Sequence, residues 1–171
     1  MSEFYIVSNE LYHHGILGQK WGVRRYQNPD GSLTAAGRKR YVDSRGELTD
    51  HGKKELNYTQ KRDIERQHPS YKAISEKLSS DKKLTSTLKS INKMIDDADS
   101  GKLKNEDDLL SYEDTKKLQS LNKAMNNRLH ELNDNDASSG ARRATIDYLD
   151  KYKALDVEDF LFNYGTFTKD K

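Results

Sequence analysis

Residues 111–132 read SYEDTKKLQSLNKAMNNRLHEL, and the period of their apolar residues sets the architecture. Leu118, Leu121, Met125, Leu129 and Leu132 recur at steps of three and four, which puts them on one face of an α-helix. Ser111 precedes the run as an N-cap, and Glu113 and Asp114 place negative charge in the first turn, where the helix dipole favours it. Leu84, Leu88, Ile91 and Ile95 form a second stripe that ends near Ser100-Gly101. The two stripes predict an antiparallel helix pair. Leu and Ile at this spacing are packing residues, not a ligand face. Working outward, Ile74 and Leu78 fit a short helix. Ile146, Leu149, Tyr152 and Leu155 fit a last one, beyond a break at Asn133-Asp134-Asn135-Asp136 and Ser138-Ser139-Gly140. The stretch from Phe160 to Gly165 is the most apolar part of the C-terminal region.

Composition agrees with a thin core. Of the 171 residues, 34% are charged and 33% hydrophobic, against about 25% charged in ordinary globular domains. A net charge of +2 gives little overall attraction to nucleic acid or membrane. The absence of cysteine excludes disulfides and thiolate metal sites. No run of about 18 apolar residues occurs, and the N-terminus lacks a basic start and an apolar signal core. The expectation is a soluble protein, intracellular when made.

The N-terminal third differs. Residues 1–12 alternate loosely and suit a short strand or arm. Gly15, Gly18 and Gly22 then punctuate a segment with the chain's only Trp, Trp21, so a compact loop is expected. Val23–Gln27 reads as a short strand. Asn28-Pro29-Asp30-Gly31 is a turn, in which Pro29 presets φ and Gly31 tolerates positive φ. Ser32-Leu33 returns as a second arm, and Thr34 caps a helix. The pattern from Gly31 recurs fifteen positions later: Gly46, Leu48, Thr49 and Gly52 repeat Gly31, Leu33, Thr34 and Gly37. The second helix is expected to run from Asp50 to about Gln67 and to stop before Pro69. Cations in both helices are expected early, where the dipole does not favour them. Two regions follow: a module of residues 1–66, and a helical body of residues 67–171. The fold class expected is mainly α, with a small N-terminal α+β module and an elongated body of antiparallel helices.

The run His13-His14-Gly15-Ile16-Leu17-Gly18-Gln19-Lys20-Trp21-Gly22-Val23-Arg24-Arg25-Tyr26-Gln27, continuing through Asn28-Pro29-Asp30-Gly31-Ser32-Leu33-Thr34 to Gly37-Arg38, resembles a module of tailed bacteriophages and prophages of Gram-positive bacteria. There a His-x-Gly-(Ile/Val)-x-Gly-x-Lys-Trp-Gly-Val-Arg-Arg core sits in proteins grouped with head and other virion components. The resemblance covers about residues 10–56, under a third of the chain, and it implies a phage context.

Three sets of residues are candidates for function. His13 and His14, with His51 as a candidate third, have the chemistry of a base or of metal ligands, yet no nucleophile or carboxylate pattern accompanies them. The reading is therefore no catalytic residue, no metal and no cofactor. Trp21 is either the plug of a miniature core or an aromatic anchor for a partner. Between residues 20 and 62 lie eleven cations and five carboxylates. Lys20, Arg24, Arg25, Arg38, Lys39 and Arg40 head this basic patch, which suits an acidic protein surface or nucleic acid. His13, His14 and Trp21 join these cations as binding candidates. Gly15, Gly18, Gly22, Pro29, Gly31, Thr34 and Thr49 are turn and cap residues. The expected function is a non-enzymatic phage binding protein. It is most readily a virion or head-associated component docking to a capsid or portal surface or to packaged DNA. The alternatives are a small effector that inhibits a host protein, or a nucleic-acid-binding protein. A protein partner is favoured over nucleic acid, and no membrane is involved.

Overall fold

The computed structural model describes residues 25–133 and 136–168. They form eight helices: α1 (Ala35–Tyr41), α2 (Asp50–Glu55), α3 (Tyr58–Gln67), α4 (Pro69–Ser80), α5 (Lys82–Asp99), α6 (Tyr112–Asn133), α7 (Ser139–Asp150) and α8 (Val157–Tyr164). The fold is mainly helical, as the stripes require. β pairing among the described residues is confined to three isolated antiparallel bridges, Gln27 with Leu33, Val42 with Leu48 and Lys104 with Leu110. Residues 1–12, Gly15, Gly18, Gly22 and Val23, which carry the expected strand, loop and first arm, lie outside the described residues.

The main core joins α4 to α8. Leu84, Leu88, Ile91, Leu118 and Leu78 are fully buried there, with Met125 and Leu129 close behind. Arg128, late in α6, places its guanidinium 2.5 Å from the carboxylate of Asp81, the N-cap of α5. The C-terminal end of α6 therefore meets the start of α5, and the pair is antiparallel. Asp81 also accepts the Leu84 amide at 2.6 Å, so one carboxylate caps α5 and ties it to α6. α7 packs chiefly on α4, and α8 packs on α6.

A second, smaller core of Tyr41, Leu56 and Ile64 is flanked by Tyr26, Leu33, Val42 and Leu48. It holds α1, α2 and α3 together, and α3 is the element that also touches α7.

Several expectations change. The helix expected from Asp50 to Gln67 is two helices. α2 ends at Glu55, and Asn57 opens α3 with a capping box: its Oδ1 accepts the Gln60 amide at 2.9 Å, while Gln60 Oε1 accepts the Asn57 amide. Because α1 and α2 span seven and six residues, their cations fall in the last turn, where the dipole favours them. α7 buries Ala141, Ala144 and Tyr148, whereas Ile146 and Leu155 are about 40% exposed and Tyr152 and Leu155 lie beyond its end. The apolar stretch that begins at Phe160 is the body of a further helix, α8.

Candidate functional site

The module is a tandem repeat that reaches further back than its glycines suggest. Arg25-Tyr26 occupies the same place before the first turn that Arg40-Tyr41 occupies before the second. Gly31 and Gly46 have φ of 88° and 89°, a conformation that favours glycine. Each turn closes on matching bonds: the Gly31 amide donates to the Asn28 carbonyl at 2.9 Å, and the Gly46 amide to that of Asp43 at 3.1 Å. Thr34 and Thr49 both accept the amide of the glycine three residues on, at 3.1 and 3.2 Å. Their hydroxyls donate backward to Arg25 O and Arg40 O, at 2.8 and 2.9 Å. Their own amides donate to Tyr26 O and Tyr41 O, at 3.1 and 3.0 Å. Each threonine thus fastens a helix to the arm nine residues upstream.

Gly37 and Gly52 complete the unit for a steric reason. A Cβ on Gly52 would stand 2.5 Å from the Tyr41 carbonyl oxygen, and one on Gly37 would collide with that of Tyr26. The helix lies so close to the arm that only glycine fits. Tyr26 and Tyr41 meet edge to face at 5.9 Å, and the Arg40 guanidinium sits 5.1 Å from the first ring and 5.9 Å from the second.

A third unit, which the sequence reading missed, closes the loop between α5 and α6. Asn105 takes the place of Asp43, Asp108 with φ of 62° that of Gly46, Leu110 that of Leu48, and Ser111 that of Thr49. Asn105 Oδ1 accepts the amides of Asp107 and Leu109, as Asp43 Oδ1 accepts those of Arg45 and Glu47. Asp114 stands where Gly37 and Gly52 stand, so the third unit lacks the glycine at which helix and arm touch in the first two. The signal was present but faint, since of the residues shared by the first two units only the Leu persists, behind a turn opened by Asn28, Asp43 or Asn105.

The cations of the module divide into two sets. Arg40 pairs with Glu55 at 3.5 Å and Arg45 with Asp43 at 3.2 Å. Glu55 also accepts the Tyr41 hydroxyl at 3.0 Å, and that bond, with the nearby Arg40, holds its carboxyl below the usual range. Arg62 and Arg66 both reach Asp147 of α7, the latter at 2.7 Å, and the buried Arg143 of α7 reaches back to Glu65 at 2.7 Å. Tyr71 donates to Asp147 at 3.0 Å. Burial would raise the Asp147 pKa, but the bonds from Arg66 and Tyr71 outweigh it and the value falls. These cations are matched by carboxylates within the fold, and those of α3 and α7 fix how the two helices face each other. Arg38 and Lys39 of α1, with Lys54 of α2, are exposed and form no ion pair within 4.0 Å among the described residues. Lys39 and Lys54 are equivalent positions of the two units. Arg25 lies 5.4 Å from the Tyr26 ring. Beside them, a groove of about 400 Å³ runs between the first turn and α3, lined by Asp30, Leu33, Arg38, Asn57 and Asp63.

Of the site residues read from the sequence, His13, His14, Lys20, Trp21 and Arg24 lie outside the described residues. His51 is on the exposed side of α2, 3.5 Å from Glu55. No group of three metal-ligating side chains occurs among the described residues. A different histidine, His68, is buried where module and body meet. Its Nδ1 accepts the Ser70 amide at 3.2 Å, and its Nε2 lies 3.4 Å from Glu47. Glu47 also accepts the Ser139 amide at 2.8 Å, placing a carboxylate on the N-terminus of α7. Ser139, His68 and Glu47 are residue types of a hydrolase triad. Here both imidazole nitrogens are committed, and the buried Ser139 Oγ has no hydrogen-bond partner, so the serine has no base. The cluster is a joint.

Compared with protein families, curated proteins and solved structures, the chain matches none. No described helix is long and apolar enough to cross a membrane.

Proposed function

We propose that the chain is a non-enzymatic, phage-encoded binding protein whose docking face is the outer side of the tandem module. The observation that carries this reading is the division of the cations. Those facing the body are matched by carboxylates, while Arg38, Lys39 and Lys54 project from the last turns of two equivalent short helices. An exposed row of this kind suits an acidic surface on a partner protein. The resemblance of residues 10–56 to a module of head and virion proteins supports a capsid or portal surface as that partner. Mass spectrometry of purified phage particles against infected-cell lysate tests the assignment. A virion component co-purifies in fixed copy number, and Arg38→Glu with Lys39→Glu removes it from particles while leaving the fold intact. A chain found only in the lysate supports instead an effector acting on a host protein.

A further inference from the structure

α8 (Val157–Tyr164) turns Val157 and Leu161 into the core and leaves Phe162 82% exposed. Phe167, just beyond the helix, is 50% exposed. The two rings form one wall of a groove of about 470 Å³ whose other wall is the outer face of α6. That face carries Gln119, Asn126 and Asn127, and Lys123 and Glu158 also line the groove. Surface phenylalanines are ordinary singly, but two beside a groove with a polar rim mark an interaction site.

We infer that this groove is a homodimer interface, in which the Phe162 ring of each chain enters the α6–α8 groove of a second copy. Three features favour a second copy over an unrelated partner. The patch carries both the projecting ring and the cleft that receives one, as an interface built on a twofold axis requires. Its ionic groups are one cation and one anion, Lys123 and Glu158, so Lys123 of each chain can face Glu158 of the other, and the patch is neutral as a whole. Its remaining polar groups are carboxamides, which carry donors and acceptors together and therefore pair with their own kind. Glu158 keeps one bond at home, from Asn122 at 3.4 Å, which orients it toward the groove. This interface lies on the body and does not rest on the function proposed for the module.

Sedimentation velocity of the whole 171-residue chain, over concentrations of roughly 1 μM to 1 mM, tests the inference. The expected result is a reversible monomer–dimer equilibrium that Phe162→Ser weakens about thirtyfold or more, the loss of a central aromatic anchor. Because the ring is exposed, helical circular dichroism stays unchanged. Lys123→Glu and Glu158→Lys should each weaken the dimer about tenfold, and the two together should restore most of it. A chain monomeric throughout the range overturns the inference, as does a dimer indifferent to Phe162→Ser. Single charge reversals that the double variant fails to rescue overturn the twofold pairing.

Discussion

Replacing Gly52 by Ala sets two effects of opposite sign against each other. Gly52 lies inside α2, and helix propensity alone predicts that Ala stabilises by about 1 kcal/mol. The packing predicts the reverse. The new Cβ would stand 2.5 Å from the Tyr41 carbonyl oxygen and 3.2 Å from Leu48 Cδ2, where carbon contacts settle near 3.5–4.0 Å. The blocking atom is backbone, so α2 must back away from its arm by on the order of 1 Å. Overpacking of this kind costs about 1–3 kcal/mol. The retreat also stretches the bond from the Thr49 amide to that same carbonyl, now 3.0 Å, worth about 1 kcal/mol. The net expectation is a destabilisation of about 1–3 kcal/mol. Urea denaturation followed by far-ultraviolet circular dichroism measures it, and Gly37→Ala should agree in sign. If either substitution stabilised the protein by the propensity difference, the close approach of helix to arm would be wrong, and with it the reason for both glycines.

The third unit makes its own forecast at the same turn position. Asp108→Gly should be neutral or stabilising by up to about 1 kcal/mol, because glycine takes φ of 62° without strain. Gly46→Ala at the matching place should cost more than that, since its φ is 89° and a Cβ there would meet His68 Cδ2 at 2.9 Å; paired melting curves decide. A second forecast concerns acid. The Arg128 guanidinium, with the Leu84 amide, holds the Asp81 carboxyl below its usual value. The unfolded chain, with its carboxyl near the ordinary value of about 3.9, takes up the proton first. The pair's contribution is therefore complete above about pH 4 and drains away as pH falls through the lower folded value. Asp81→Asn keeps a cap but should flatten that part of the acid unfolding curve, while leaving its shape above pH 5 unchanged.

The legible parts of the fold were those encoded locally and by large residues. Leu84, Leu88, Ile91, Ile95, Leu118, Met125 and Leu129 are buried as their period requires, Leu121 and Leu132 are half-buried against the same core, and Thr34, Thr49 and Ser111 each accept the amide their cap position implies. What escaped had small residues or long separations behind it. α7 packs through Ala141, Ala144 and Gly140, where a Cβ would run into His68, so counting Leu and Ile picked out Ile146 instead. The break between α2 and α3 was written in Asn57-x-x-Gln60. It was masked because Leu56, which takes the buried place of Tyr41 in the repeat, reads as one more helical apolar residue. Glu47 meets Ser139 across 92 positions of sequence, a contact no local pattern announces.

The joint between module and body bears on function through geometry more than through stability. Glu47, Glu65 and Asp147 engage His68, Arg143, Arg62 and Arg66 there. Ion pairs that are partly buried return little net free energy once desolvation is counted, so such a network is a poor glue. It is a good selector of orientation, because any other placement of α3 on α7 strands a guanidinium or a carboxylate away from water. The apolar side chains form two separate cores, and Ile64, the one buried side chain of α3, belongs to that of the module. The carboxylates therefore determine which side of α1 and α2 faces outward. That side carries Arg38, Lys39 and Lys54, held at a fixed angle to the body instead of on a loose arm. On the docking role proposed for this face, a row of charges presented in one orientation loses little conformational freedom when it meets a partner.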